Sequence, residues 1–483
     1  MIRSAVILGN LGRIILIIGI AMLSCLGWSI AYYEDVTIPI LQAAILTIIC
    51  GLLLSRAFYK PGKINLREGF ALVSLGWAIV SIFGTLPYLF SGYLPSFADA
   101  LFESVSGFTT TGASVVSDVE AWPRGLLFWR SLTHWLGGMG IIVLLVAVMA
   151  NLGSQAKQLF KAEGPGPITE NISPRIRETA RRLWIIYLLL SIACTLLLYF
   201  FGMDFFDALC HSFATMATGG FSTKNSSMAF YPSPFIQWTL ILFMFIAGAN
   251  FALHYFAFKK RSLLTYLRNS EFRLYTIIIV AASLLVFLRI LFLNSGTGWE
   301  AGLRIAFFQI VSIVTTTGYV SVDYNQWSAF GLAIILLMMF VGGCSGSTGG
   351  GIKPGRYLII LLRIKIELKK MVHPKAILPL RFGEHLIKDD LLINVLQFFF
   401  LYILIMALGM LSLTAMGIDV LSSLSASATC LGNIGPGVNL VGPTQNFGFM
   451  PDSGKYVLSI LMLIGRLEIY PILVLFLPAF WKD

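Results

Sequence analysis

Four segments of this chain repeat one pattern, each set between long apolar stretches. The first, 99–114, contains Phe108-Thr-Thr-Thr-Gly112. The second, 207–222, aligns with it without a gap and contains Ala217-Thr-Gly-Gly-Phe221. The third, 306–319, ends in Val314-Thr-Thr-Thr-Gly-Tyr319. The fourth, 419–433, ends in Ala428-Thr-Cys-Leu-Gly-Asn433. Aligned, Gly112, Gly220, Gly318 and Gly432 share one column, at steps of 108, 98 and 114 residues. A period this regular is the mark of a duplicated unit. Four equivalent elements on one chain can surround a single axis, a geometry suited to a pore.

Of the 483 residues, 57% are hydrophobic and 12% charged, more apolar surface than a soluble fold can hide. Long apolar runs recur, such as 138–149 and 183–201. A helix of about 20 apolar residues crosses a bilayer, so the fold class expected is an all-α polytopic membrane protein. The first apolar stretch, 7–30, is not followed by a small-residue cleavage site, so it is read as a retained helix and not a signal peptide. The net charge of +11 sits in loops: Arg56, Lys60, Lys63 and Arg67; Lys157, Lys161, Arg175, Arg177, Arg181 and Arg182; Lys259, Lys260, Arg261 and Arg268; and the stretch 353–388. Acidic residues such as Asp99, Asp118, Glu120, Asp207 and Asp419 occupy the opposite loops. This is the positive-inside asymmetry, and it places both termini in the cytoplasm. No basic run is interleaved with aromatics in a soluble segment, which argues against nucleic acid as a partner. The six cysteines form no Cys-x-x-Cys pair and read as buried free thiols.

The chain divides into an accessory helix pair (1–60) and four tandem helix–pore-loop–helix repeats in pseudo-fourfold arrangement: 61–155, 156–262, 263–372 and 373–483. Outer helices are expected near 69–91, 182–202, 272–294 and 391–416, and inner helices near 124–150, 234–257, 327–362 and 454–480, for ten crossings. Half-helices near 97–108, 205–216, 303–314 and 420–429 are too short to cross and read as re-entrant segments. Such backbone survives at membrane depth only where protein or water covers it.

A monovalent cation stripped of water needs oxygen ligands, and rings of backbone carbonyls supply them. Glycine lets successive carbonyls turn toward an axis without a Cβ clash. Half-helices aimed at the axis by their C-terminal ends add a favourable dipole. The expected cation ligands are the glycine column and its neighbours: Thr111, Gly112, Gly219, Gly220, Thr317, Gly318, Leu431, Gly432 and Asn433. The column carries no charged side chain, unlike the acidic rings that select divalent cations.

These four segments, the last read through Ala428-Thr-Cys-Leu-Gly-Asn-Ile-Gly-Pro-Gly437, resemble the filter segments of the Trk/Ktr/HKT potassium-uptake superfamily, over about 60–483. The two extra N-terminal helices resemble its TrkH branch. The resemblance implies potassium uptake across a bacterial inner membrane, with potassium as substrate, rubidium or sodium as rivals, and no cofactor. It also implies a homodimer with one pore per protomer and a cytosolic nucleotide-binding, TrkA-like regulatory subunit. The segments depart from the Thr-Val-Gly-Tyr-Gly of potassium channels, which implies a shorter filter. A secondary active symporter, coupling potassium to sodium or protons, is the alternative. It needs an ionisable residue near the binding site, and the glycine column has none.

Two further features lie inside the expected membrane. Val341-Gly-Gly-Cys-Ser-Gly-Ser-Thr-Gly-Gly-Gly-Ile-Lys-Pro354 interrupts the third inner helix. Each glycine costs a helix about 1 kcal/mol relative to alanine, so the helix breaks, either as a packing kink or as a mobile plug. The resemblance identifies the segment with the family's intramembrane gating loop, formed by Gly342, Gly343, Gly346, Gly349, Gly350 and Gly351. An enzyme is not expected. The loop lacks the Gly-Lys-Ser/Thr ending of a phosphate loop. Its Gly-Cys-Ser-Gly resembles a protease motif, but the only later histidines, His373 and His385, lie in the basic loop. On the last inner helix, Arg466 and Glu468 are charges in an apolar run, read as a buried ion pair or as an electrostatic barrier below the filter. The resemblance favours the barrier, since Arg466 matches the family's pore arginine.

Overall fold

A computed structural model describes residues 2–58, 64–151, 176–293, 298–376, 378–379, 381–382, 385–386 and 389–482. Lys60, Lys63, Lys157, Lys161 and Arg175 of the basic loops lie outside the described residues. Helices make up about three quarters of the described residues; the strands among them are the two-residue pair Arg381–Phe382 and His385–Leu386. Six helices among the described residues are long and apolar enough to cross a membrane, and two bent helix pairs would raise the number to eight.

The first two helices, Ser4–Ala31 and Thr37–Ala57, form a tight antiparallel pair. Gly12 and Gly51 face each other there, and a Cβ on Gly51 would lie 2.9 Å from the Gly12 carbonyl oxygen. Small residues let membrane helices approach this closely, which strengthens dispersion contacts where no hydrophobic force acts. The next helix, Leu66–Gly84, begins with a capping box: Asn65 Oδ1 accepts from the Glu68 amide at 2.8 Å, and Glu68 Oε2 accepts from the Asn65 amide at 2.9 Å. Glu68 also pairs with Arg3 at 2.7 Å, tying the N-terminus to the first repeat.

Each repeat then supplies an outer helix, a half-helix, a loop and an inner helix. The half-helices are Phe97–Phe108, Phe205–Met216, Trp299–Val314 and Val420–Gly432. Asp204 and Asp419 cap two of them by accepting from amides in the first turn, at 3.1 and 3.0 Å. The first inner helix, Arg124–Asn151, packs on the second half-helix, the second inner helix on the third half-helix, and the fourth on the first. The Met339 carbonyl, at the end of the third inner helix, lies beside Gly432 of the fourth half-helix. Each repeat therefore leans on the next, and the last leans on the first.

Three inner helices are interrupted, the third as its glycines predict and the second and fourth where the hydrophobic pattern predicts continuous rods. The second runs Pro234–Ala247, then turns by 97° into Phe251–Lys260. The fourth runs Asp452–Arg466 and turns by 112° into Tyr470–Phe476. The third stops at Met338 and resumes at Pro354. Apolar periodicity reports which residues avoid water, and it is blind to a bend between two equally apolar segments. Glycines mark the breaks at 248 and 342–351. At the fourth bend Ile469 takes φ 71° and ψ −62°, costly for a buried β-branched residue, and the Tyr470 amide bonds the Glu468 carbonyl at 2.8 Å.

Candidate ion pathway

The four loops share one backbone conformation. In each, a residue one or two positions past the half-helix terminus is left-handed: Thr110 (φ 54°), Thr218 (φ 54°), Thr316 (φ 60°) and Asn433 (φ 55°). The following amide reaches back to close a Schellman cap. Thr111 N bonds Ser106 O at 2.9 Å, Gly219 N bonds Ala214 O at 2.8 Å, Thr317 N bonds Ser312 O at 2.8 Å, and Ile434 N bonds Thr429 O at 2.9 Å. One residue later comes a glycine with positive φ: Gly112 (78°), Gly220 (81°), Gly318 (80°) and Gly435 (99°).

This corrects the column read from sequence in the fourth repeat. Gly435 is the counterpart of Gly112, and Ile434 that of Thr111. Leu431 and Gly432 are the last helical residues of their half-helix, and Asn433 occupies the left-handed cap position. The segment offers glycines at 432, 435 and 437, so residue identity alone leaves its register open. Backbone conformation settles it, and the last step of the repeat becomes 117 residues.

The four glycines lie together. A Cβ on Gly112 would collide with the Gly219 carbonyl oxygen, one on Gly220 with Thr317 O, and one on Gly318 with Ile434 O. A Cβ on Gly435 would come within 2.6 Å of Thr111 O. Each glycine thus abuts the carbonyl that precedes the glycine of the next repeat, and the fourth contact returns to the first repeat. The contacts close a ring. All four glycines also line one cavity of about 130 Å³, with Lys224 and Asn225 at its rim. Close by, the Asn225 side-chain amide donates to Asp118 at 2.8 Å and holds that carboxyl below the usual carboxylate range, so it stays anionic. Carbonyls grouped at one level, below a water-accessible mouth, are the ligand set a dehydrated cation requires.

Directly on the other side of the ring sits the glycine-rich segment. The Gly350 amide donates to Thr316 Oγ1 at 2.8 Å, and Thr348 Oγ1 donates to Met216 O at 3.0 Å and Ala247 O at 3.2 Å. A Cβ on Gly350 would lie 2.5 Å from Gly432 O, and one on Gly349 2.9 Å from Thr315 O. Arg466, buried, donates to Thr348 O at 2.6 Å and to Gly137 O of the first inner helix at 3.1 Å. Residues 348–350 and Arg466 therefore touch all four repeats at the centre. Gly342 and Gly351 pack where the two limbs of the segment meet, beside the bridge between Val341 and Ile352. Gly343 lies against Gly248 O of the second inner helix, and Gly346, at φ 75°, against Asn250. Glu468 does not pair with Arg466; it pairs with Arg356 at 2.5 Å.

Other residues at this site were not singled out from sequence. Glu271, buried in the first turn of the third outer helix, Ser270–Leu293, accepts from Ser345 N (2.8 Å), Ser345 Oγ (2.9 Å) and Gly355 N (3.1 Å), and so holds both limbs of the segment. Lys353 Nζ donates to Gly349 O at 2.5 Å and Gly350 O at 3.2 Å. Glu103 and Arg130 form a buried pair behind the first loop. A signal existed for Glu103 and Arg130, because an ionisable residue within an apolar segment marks a functional position by default; Glu271 has Arg268 and Arg273 close by, and Lys353 reads as the start of the basic stretch.

Comparison with known proteins agrees with this architecture. Residues 38–482 match the family model TrkH, described as a cation transport protein. The chain is 41% identical over 426 residues to the Trk system potassium uptake protein TrkH of Escherichia coli (strain K12), covering 88% of each chain. It is 38% identical over 481 residues to the TrkH protein of Vibrio parahaemolyticus, covering 98% of each. The crystal structure of the potassium transporter TrkH from Vibrio parahaemolyticus superposes with a TM-score of 0.91 at 36% identity, over 100% of both chains. With its ring of four glycine loops on a polytopic helical frame, this chain belongs to the TrkH family of cation transport proteins.

Proposed function

We propose that this chain takes up potassium across a bacterial inner membrane through the ring of its four loops. The observation that carries this reading is the closed set of glycine-to-carbonyl contacts running from Gly112 through Gly220 and Gly318 to Gly435. The carbonyls of Thr111, Gly219, Thr317 and Ile434 are the inner ligands of the ion. The four repeats, 61–155, 156–262, 263–372 and 373–483, together build one pathway, with both termini cytoplasmic. The segment 342–351 and Arg466 close it below the ring. The relatives' names support potassium as the ion. Basic cytoplasmic loops and membership of a Trk-type family support a nucleotide-binding regulatory subunit and a homodimer.

Flux in liposomes tests this. Purified protein should pass potassium and rubidium down their gradient, with a reversal potential that follows the potassium gradient alone. A reversal potential that moves with an imposed sodium or proton gradient would replace the passive pathway with coupled symport.

Glu271 gives a more local test of the closing segment. It accepts three hydrogen bonds from the two limbs, and bonds to a charged acceptor contribute about 1.5–3 kcal/mol each. Glu271→Gln keeps the shape and weakens all three. Basal rubidium flux is expected to rise by roughly threefold or more, since less than 1 kcal/mol of lost closure suffices for that. A folded variant with wild-type or lower flux would show that Glu271 does not hold the pathway closed.

A further inference from the structure

The four junctions between adjacent loops are braced differently. Between the second and third loops, Tyr319 Oη donates to His211 O at 3.0 Å. Between the third and fourth, Tyr324 Oη donates to Gly437 O at 2.8 Å. Between the fourth and first, Asn433 Nδ2 donates to Thr111 Oγ1 at 3.0 Å, and Phe447 N to Ser114 O at 2.8 Å. These are neutral hydrogen bonds, although behind the last of these junctions Lys455 of the fourth inner helix pairs with Asp99 of the first half-helix at 2.5 Å. The junction between the first and second loops is charged. Arg130 Nε donates to Glu103 Oε1 at 2.7 Å, with the guanidinium 3% exposed and the carboxylate fully buried.

Both members of this pair grip the backbone just outside the ring. Glu103 accepts from Ser114 Oγ at 3.0 and 3.1 Å and from Val115 N at 3.0 Å. Arg130 donates to the same Ser114 Oγ at 3.1 Å and crosses to the second loop, donating to Ser222 O at 3.2 Å. Its guanidinium lies 4.0 Å from the ring centre of Phe221, the residue that follows Gly220, and His134 stacks on Phe221 at 4.1 Å. Ser114 and Ser222 each stand two residues beyond their ring glycine. The pair therefore ties the outer edges of two adjacent loops to each other and to the first half-helix.

A buried ion pair contributes little net stability, because desolvating two charges offsets their attraction. Its effect here is to make one geometry cheap and displaced geometries expensive, since any shift of either loop strands a buried charge. A ring of carbonyls discriminates between ions to the extent that it resists collapsing onto the smaller one. We propose that Glu103 and Arg130 are specificity-determining positioning residues: they hold the first and second loops apart at the spacing of the larger ion, and so set preference for potassium over sodium. This rests on the ring being the ion pathway.

Two substitutions test the brace. Glu103→Gln removes the charge while keeping the shape. Ser114→Ala removes the hydroxyl that bonds both members of the intact pair, leaving Val115 N as their one remaining bond to the first loop. Each is purified, checked for a single symmetric peak in size exclusion, and assayed in liposomes for sodium-22 and rubidium-86 entry. The sodium-to-rubidium ratio is expected to rise roughly fivefold, equivalent to about 1 kcal/mol of lost discrimination. A structural lesion alone would lower both fluxes together and leave the ratio unmoved. The proposal is overturned if the folded variants keep the wild-type ratio; should Glu103→Gln not fold, Ser114→Ala decides alone. A Gly112→Asp control separates the two claims: rubidium entry that survives this substitution defeats the ring itself, whereas an unchanged ratio in the brace variants defeats only the brace.

Discussion

Rubidium flux in liposomes will fall about a hundredfold or more in Gly435→Ala, a barrier increase of ~2.7 kcal/mol, while Gly432→Ala will stay within roughly threefold of wild type. The two residues stand three apart in one segment, yet their surroundings differ. Gly435 has φ 99°, where an L-residue is strained, and a new Cβ would press on Thr111 O at 2.6 Å and on the Gly112 carbonyl carbon at 3.1 Å. Neither neighbour can move without displacing a ring carbonyl. Gly432 is helical, and its added Cβ would meet mainly the Ile434 side chain, at 3.0 and 3.3 Å, which can rotate. Gly112→Asp should match Gly435→Ala or exceed it, because its Cβ would collide with Gly219 O and its carboxylate would enter the ring. The reverse ranking of 432 and 435, with both proteins folded, would restore the register read from sequence and refute the one described here.

Arg466→Ala will raise basal flux by about tenfold or more, the effect of lowering a barrier by ~1.4 kcal/mol. The guanidinium binds Thr348 O and Gly137 O, so it pins the glycine-rich segment to the first inner helix while holding a positive charge below the ring. Removing it takes away both a mechanical tie and a like charge that repels an entering cation, and a charge at membrane depth interacts strongly. Arg466→Lys should fall between the two proteins, since a single ammonium keeps the charge but cannot span both carbonyls as the planar fork does. Flux below wild type in a well-folded Arg466→Ala protein would assign the arginine a purely structural role.

Much of the architecture was legible in the residues. Most outer helices and half-helices fall within a few residues of their expected limits, although the second outer helix, Ile176–Phe200, starts six residues early and the first divides into Leu66–Gly84 and Leu86–Ser91; the first two half-helices, Phe97–Phe108 and Phe205–Met216, coincide with expectation. Hydrophobic runs and turn residues are local signals, and these elements form from local rules. The glycine-rich segment likewise could not be helix, and it is not. Partner choice was not legible. Nothing near Glu271 in sequence indicates that it bonds Ser345 and Gly355, 74 and 84 residues away. Glu468 stands two residues from Arg466, a spacing that already sets the two on different helix faces, but its partner, Arg356, lies 112 residues away.

The sequence by itself determined an all-helical membrane protein with four equivalent hairpins, a break in the third inner helix, and the positive-φ glycines of the first three loops. Those outcomes follow from apolar surface and from φ/ψ limits, which act within a few residues. Only the tertiary structure decided that Gly435 completes the ring, that Glu271 clasps the closing segment, and that Glu103 and Arg130 brace two loops. These depend on which carbonyl meets which glycine once segments about a hundred residues apart close on one another, and closure is a property of the whole set of four.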